Sequence, residues 1–144
     1  MGNIDFGNLL FGFQGRINRG KYWLAVVIYL IAWIVIGGIA WSLLGVSYVL
    51  AGILFILVLL VSIVSVIAVG IKRLHDRDKS GWWLVLFYLV PAILDGIGRG
   101  LDGVGFIFSL AGLAISIWAL VELGFLRGTA GPNQYGPDPL EGQA

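Results

Sequence analysis

The sequence predicts an all-α integral membrane protein: a four-transmembrane-helix bundle preceded by an N-terminal interfacial amphipathic helix. Three observations predict it. Hydrophobic residues make up 59% of the 144 positions and charged residues only 12%, with a mean hydropathy of +0.97. A soluble domain carries about 25% charge. The apolar residues fall in long uninterrupted runs, the longest being 22–71. The charged residues gather between the runs, above all in 70–83, which holds four of the nine basic residues, two of the eight acids and the single histidine.

The elements follow in order. Phe6, Leu9, Leu10, Phe13 and Ile17 recur at helical spacing, so 1–21 reads as a cytosolic segment with one apolar stripe on the membrane surface. Gly12 and Gly15 weaken that helix, and a frayed N-terminus is the equal alternative. Arg16, Arg19 and Lys21 then precede the first run. They come too late, and the run is too long, for a cleaved secretory signal. One crossing needs about 20 residues. The charge-free stretch 22–71 therefore holds two crossings, near 22–44 and 49–71, with a turn at Gly45-Val46-Ser47-Tyr48. Tyr22 and Trp23 mark one interface, and Trp41 and Tyr48 the other.

The third apolar run, 81–94, spans about 21 Å as helix against roughly 30 Å of hydrocarbon. Ser80 is placed to cap it, Pro91 lies near its end, and the crossing is drawn to 81–97. A glycine-rich loop from Gly96 to Gly105 follows, carrying Arg99 and Asp102. The fourth crossing is 104–122. On it Gly105, Ser109, Gly112, Ser116 and Ala119 recur at +4, +3, +4, +3, a seam of small residues that lets a neighbouring backbone approach. The seam suits either the protein's own bundle or a second copy, and the bundle is the preferred partner. Residues 123–144 form a polar, turn-rich cytosolic tail, so the chain reads as one membrane domain.

Four crossings put the N-terminus, the central segment and the tail on one side. That side holds Arg16, Arg19, Lys21, Lys72, Arg73, Arg77, Lys79 and Arg127; the other holds Arg99 alone. The positive-inside rule then places both termini in the cytoplasm. A re-entrant third run would give the same count. Four crossings are preferred because Trp82 and Trp83 can start the helix among the headgroups and local thinning accommodates a short span.

Three motifs remain: Gly15-Arg16-Ile17-Asn18-Arg19 before an aromatic-led span; Arg73-Leu74-His75-Asp76 with Ser80-Gly81-Trp82-Trp83; and Asn133-Gln134-Tyr135-Gly136-Pro137-Asp138-Pro139. In this order, over nearly the whole chain, they resemble the bacterial inner-membrane family of YhaH-like proteins, catalogued as domain of unknown function 805. The resemblance implies a small multi-span bacterial inner-membrane protein. It implies no activity and no catalytic residues.

A compact bundle brings Arg16, Arg19, Arg73, His75, Asp76, Arg77, Lys79, Asn133 and Asp138 to one face. The plainer reading is a latch in which arginines and aspartates pair and the tail is fixed by Asn133, Tyr135 and the prolines. The sharper reading is a composite site in which arginine forks and Lys79 hold an anionic lipid headgroup. Helical spacing also puts Lys72 beside Asp76 and Arg73 beside Arg77. Asp95 and Glu122, at run ends, are expected to be solvated. The absence of cysteine excludes disulfides, thiol nucleophiles and thiolate metal sites, and one histidine excludes multi-histidine sites. His75, Asp76 and Asp78 lack a second cluster to complete a metal shell, so no metal or cofactor is expected. The span serines lack a partner base. A net charge of +1 argues against nucleic acid as a partner. The function expected is a non-enzymatic accessory, structural or membrane-organising role, with lipids, other membrane subunits or a second copy as partners. A small transporter or channel, and an enzyme acting on lipid headgroups with His75 or Asp76 as base, are the alternatives.

Overall fold

The structure, a computed structural model, describes residues 4–141. Positions 1–3 of the expected N-terminal segment and 142–144 of the tail lie outside the described residues. The chain forms α1 (Phe6–Phe11), α2 (Arg19–Leu43), α3 (Tyr48–Asp76), α4 (Val90–Arg99) and α5 (Gly105–Leu120). A π-helical turn, Val85–Leu89, leads into α4, and another, Val121–Phe125, continues α5. Among the described residues there is no strand, only an isolated bridge between Asn133 and Gly136.

Three helical segments are long and apolar enough to cross a membrane: Arg19–Leu43, Tyr48–Asp76 and Gly105–Phe125. Their surfaces are apolar. Leu30, Ile34, Ile56 and Leu60 are all more than half exposed, whereas Lys72, Arg73, Asp76 and Glu122 are buried. That distribution is the reverse of a water-soluble protein and suits hydrocarbon as the solvent. The helix over 83–99 is shorter, about 25 Å at 1.5 Å per residue.

The helices pair as two hairpins. Ser47 ends the first turn and caps α3, its hydroxyl accepting from the Leu50 amide at 3.4 Å. Trp33 and Phe55 meet edge to face at 5.6 Å between α2 and α3. Phe87 and Trp118 do the same at 5.3 Å in the second hairpin. There the small-residue seam of α5 faces α4. A Cβ on Gly112 would sit 3.2 Å from the Pro91 carbonyl, and one on Gly98 would sit 2.6 Å from the Gly105 carbonyl. Ser109 donates to Asp95 at 3.3 Å, Ser116 donates to the Gly112 carbonyl at 3.0 Å, and Ala119 is buried. The expected loop from Gly96 is thus shorter than read. Gly96 and Gly98 are helical, because Gly98 is needed where the two backbones meet. The π turn before Pro91 widens the helix where the ring would otherwise strike the Phe87 carbonyl four residues back, and Val90 donates to Val85 instead.

The N-terminal stripe is not a single helix. α1 is six residues long and ends at Gly12, and Gly15, at φ +86°, turns the chain. Leu9 and Ile17 pack with Ala25 and Val69, while Phe6 and Phe13 stay exposed. A second cluster, Leu74, Leu84, Phe87, Ala119 and Leu123, joins the two hairpins.

Candidate functional site: buried charge at one end of the helices

α3 does not stop where its apolar run stops. It continues through Asp76, and Lys72, Arg73 and Asp76 are each 2% exposed or less. Each is buried because another segment supplies its partner. Lys72 turns away from Asp76, against the helix-face pairing read from sequence. Its ammonium donates to the Asn8 carbonyl, which also accepts from the Gly12 amide, and at 2.7 Å to the Leu9 carbonyl, both near the end of α1. Ser65 donates to the next carbonyl, Leu10, at 2.8 Å, so the 2.8 Å contact from Tyr29 is donated by the phenol.

Arg73 and Asp76 sit one turn apart and pair directly. Arg73 also donates Nε to the Leu123 carbonyl at 2.6 Å and a terminal nitrogen to the Leu126 carbonyl. The other Asp76 oxygen accepts from Arg16 Nε and Nη2 at 3.2 and 3.1 Å. Arg16 then reaches the tail, donating to the Thr129 carbonyl at 2.6 Å and the Gly131 carbonyl at 2.7 Å. One carboxylate thus holds two arginines from different segments. Among the described residues no buried side-chain nitrogen or oxygen lacks a partner. An orphaned buried charge would cost several kcal/mol.

A second carboxylate works beside the first. Glu122 accepts from Arg77 Nε and from Lys79 Nζ, both at 2.9 Å, and its side chain is 4% exposed. The solvated position expected of Glu122 is therefore corrected: two cations meeting it supply what water would have supplied. Asp95 differs, since it is half-exposed and pairs with Arg99 at 2.6 Å. Arg77 is the C-cap of α3 and, like Arg73, reaches the segment after α5, donating to Glu122 and to the Arg127 carbonyl. The π turn after α5 leaves its carbonyls unpaired within the helix, and other helices take them. Trp23 donates to Gly124 at 2.9 Å and Arg19 to Phe125 at 3.4 Å, beside the two carbonyls held by Arg73.

The tail folds over this cluster. The Thr129 amide donates to the Asp76 carbonyl at 2.8 Å. Asn133 donates to the His75 carbonyl and to the Thr129 hydroxyl, both at 2.9 Å. His75 stacks on Tyr135 with ring centres 3.8 Å apart and planes within 4°. Its Nδ1 lies 3.2 Å from the Gly15 carbonyl; a carbonyl only accepts, so Nδ1 carries the proton. Gly128 lies against the Asp76 carboxylate, where any Cβ would overlap it. Asp138 forms no ion pair with an arginine; instead it binds its own tail. Its carboxylate accepts from the Leu140 and Gly131 amides, both at 2.9 Å, which hold it below the usual carboxylate range.

Of the sequence-predicted residues, Arg16, Arg73 and Asp76 share one network, His75 and Asn133 flank it, and Arg77 and Lys79 share the neighbouring acceptor. Arg19 and Asp138 border the cluster without pairing. Sequence reasoning missed Lys72, Glu122, Gly128 and Thr129 as members. The one usable signal was Glu122, an acid following the apolar run on the side where eight bases collect. The use of backbone carbonyls leaves no trace in residue types.

Lipid-length apolar helices closed at one end by internally neutralised charge define a helical integral membrane protein. Within that class the chain belongs to the family described as "Protein of unknown function (DUF805)", whose model matches residues 10–137. It is similar to the inner membrane protein YhaH of Escherichia coli K12, 32% identical over 89% of this chain and 87% of that one. It is similar to the inner membrane protein YhaI of the same strain, 33% identical over 91% and 88%. It is also similar to the uncharacterized protein YiiR, again of K12, 33% identical over 90% and 86%. No solved structure matches the chain.

Proposed function

We propose that the protein is a non-enzymatic inner-membrane protein, a structural or accessory component that organises lipids or membrane subunits around a clasped cytoplasmic face. The observation that carries this is the use of the motif residues. Arg16, Arg73, Arg77 and Lys79 each meet a carboxylate of the chain itself, and with the backbone contacts of Arg16 they join the segment before α2, the end of α3 and the turn after α5 to the tail. A base or nucleophile for turnover would need a reactive group left facing a substrate.

In this reading the chain crosses four times, with the helix over 83–99 as a short fourth span and both termini cytoplasmic. Eight of nine basic residues then lie at one end and Arg99 at the other. The chain has no cysteine, so single cysteines report topology cleanly. Ser47→Cys and Asp102→Cys are expected to label from outside intact cells, and Asp78→Cys and Gln134→Cys only after permeabilisation. Labelling of Asp102→Cys from the cytoplasm would overturn the fourth crossing. Arg73→Ala and His75→Ala are expected to weaken assembly or lipid and subunit co-purification. Turnover of a lipid panel by the wild type, abolished by those changes, would overturn the non-enzymatic reading.

A further inference from the structure

The clasp occupies most of the cations at its end of the molecule, but not all. Arg19, Lys21 and Arg127 make no ion pair among the described residues. Two of these, Arg19 and Arg127, line one cavity of about 250 Å³ together with Asn18, Asp76, Asp138 and Leu140. Arg19 is anchored only by its 3.4 Å contact to the Phe125 carbonyl. Both carboxylates bordering the cavity are already engaged. Asp76 is held by Arg16 and Arg73, and Asp138 by two backbone amides. Counting those partners, four arginines face two carboxylates, leaving two positive charges unopposed.

We infer that this cavity between the start of α2 and the tail is a binding site for a phosphate-class anion, gripped by Arg19 and Arg127. The inference rests on the membrane-organising reading above and moves the anion site of that reading away from Arg73, Arg77 and Lys79, whose donors the chain itself takes up. Size and chemistry agree. The volume lies below the roughly 300–1,000 Å³ of sites that enclose drug-sized ligands, so it fits a headgroup fragment and not a whole lipid. Guanidinium forks match phosphate oxygens in planar, two-point contacts. The level also agrees: Tyr22 and Trp23 follow Arg19 within one helical turn, and such rings settle at the headgroups. The same chemistry admits two sources, the phosphodiester of an anionic lipid or free phosphate.

The test uses the full chain, wild type and Arg19→Gln/Arg127→Gln, with Arg99→Gln as a control at the opposite end. Native mass spectrometry reads phosphatidylglycerol retained from mixed phosphatidylcholine–phosphatidylglycerol nanodiscs. Thermal melting in maltoside reads the response to inorganic phosphate. The wild type and Arg99→Gln are expected to retain phosphatidylglycerol, and each cavity arginine removed is expected to weaken retention about fivefold. Retention lost in the double variant identifies a lipid source. A phosphate-induced rise in melting temperature confined to the wild type and control, without lipid retention, identifies free phosphate. Equal retention in all three chains, or retention in none, together with no phosphate response or an equal one, overturns the site. Neither arginine supports an ion pair, so the double variant is expected to fold; if it does not, the two single variants are read the same way. Cysteine labelling that put Gln134 outside the cell would refute the topology while leaving these binding results to stand or fall alone.

Discussion

Replacing Asp76 with alanine tests the clasp most directly. The carboxylate is the meeting point of two buried arginines, Arg16 and Arg73, whose side chains are 1% and 0% exposed. Removing one partner of a buried ion pair costs about 3–5 kcal/mol, because the other charge is left uncompensated. Two considerations adjust that figure. Both arginines lose the carboxylate at once, which raises the cost. Both keep backbone acceptors, Leu123 and Leu126 for Arg73, Thr129 and Gly131 for Arg16, which lowers it. We expect Asp76→Ala to lose about 3 kcal/mol, the low end of that range. Asp76→Asn, which keeps an acceptor oxygen, should lose about 2 kcal/mol. Arg73→Met should also destabilise by itself, since it strands two carbonyls. The double change should fall short of the sum by about 1–3 kcal/mol, the coupling of residues in one network. Reversible unfolding by dodecyl sulfate in mixed micelles, followed by tryptophan fluorescence, measures all four chains. If Asp76→Ala lay within about 0.5 kcal/mol of wild type, the size of an ordinary surface change, the reasoning would be refuted.

Two further outcomes follow from geometry elsewhere. Gly105→Ala puts a methyl group into the Gly98 backbone, so the second hairpin must splay; a loss of about 1–3 kcal/mol is expected in the same unfolding assay, and none would mean that the two backbones are not in contact. The tail should loosen in acid. Asp138 is held below its ordinary value, chiefly by the Leu140 and Gly131 amides, so its contribution is complete above the usual carboxylate range and is lost as pH falls through the lowered value. Limited proteolysis with an acid-active protease should cut the tail increasingly below about pH 4, while Asp138→Asn should already be cut readily at neutral pH by a protease active there.

The parts of this molecule legible in its sequence are those governed by residue type. Hydrocarbon demands long apolar runs, and the uncharged 22–71 advertises its hairpin through length alone. The small-residue seam shows because spacing and size suffice to mark it. The clasp was legible only in outline, since opposite charges at helix ends imply pairing but not which pairs form. Lys72 illustrates the limit: its partners are main-chain oxygens of Asn8 and Leu9, and every residue has such an oxygen. Glu122 was misread for a related reason. Position at a run end suggests water, and only the fold shows Arg77 and Lys79 arriving from another segment. The N-terminal stripe overstates α1 because periodicity carries no backbone information, whereas Gly12 and Gly15, which weaken the helix in sequence, mark where it ends and where the chain turns.

The last turns of α3 have a consequence in time as well as in space. Lys72 finds its acceptors in α1, which is made before it, whereas Arg73 finds its backbone acceptors at Leu123 and Leu126, made about fifty residues later. A ribosome that has released the first hairpin has released a helix whose one cation is already housed and whose next has only Asp76, one turn away, for a partner. That guanidinium has to wait at the membrane surface, in reach of water, until the final helix emerges and carries its unpaired carbonyls down to it. The N-terminal half is therefore an unfinished object, and the arrival of α5 both completes the core and draws the waiting charge inside.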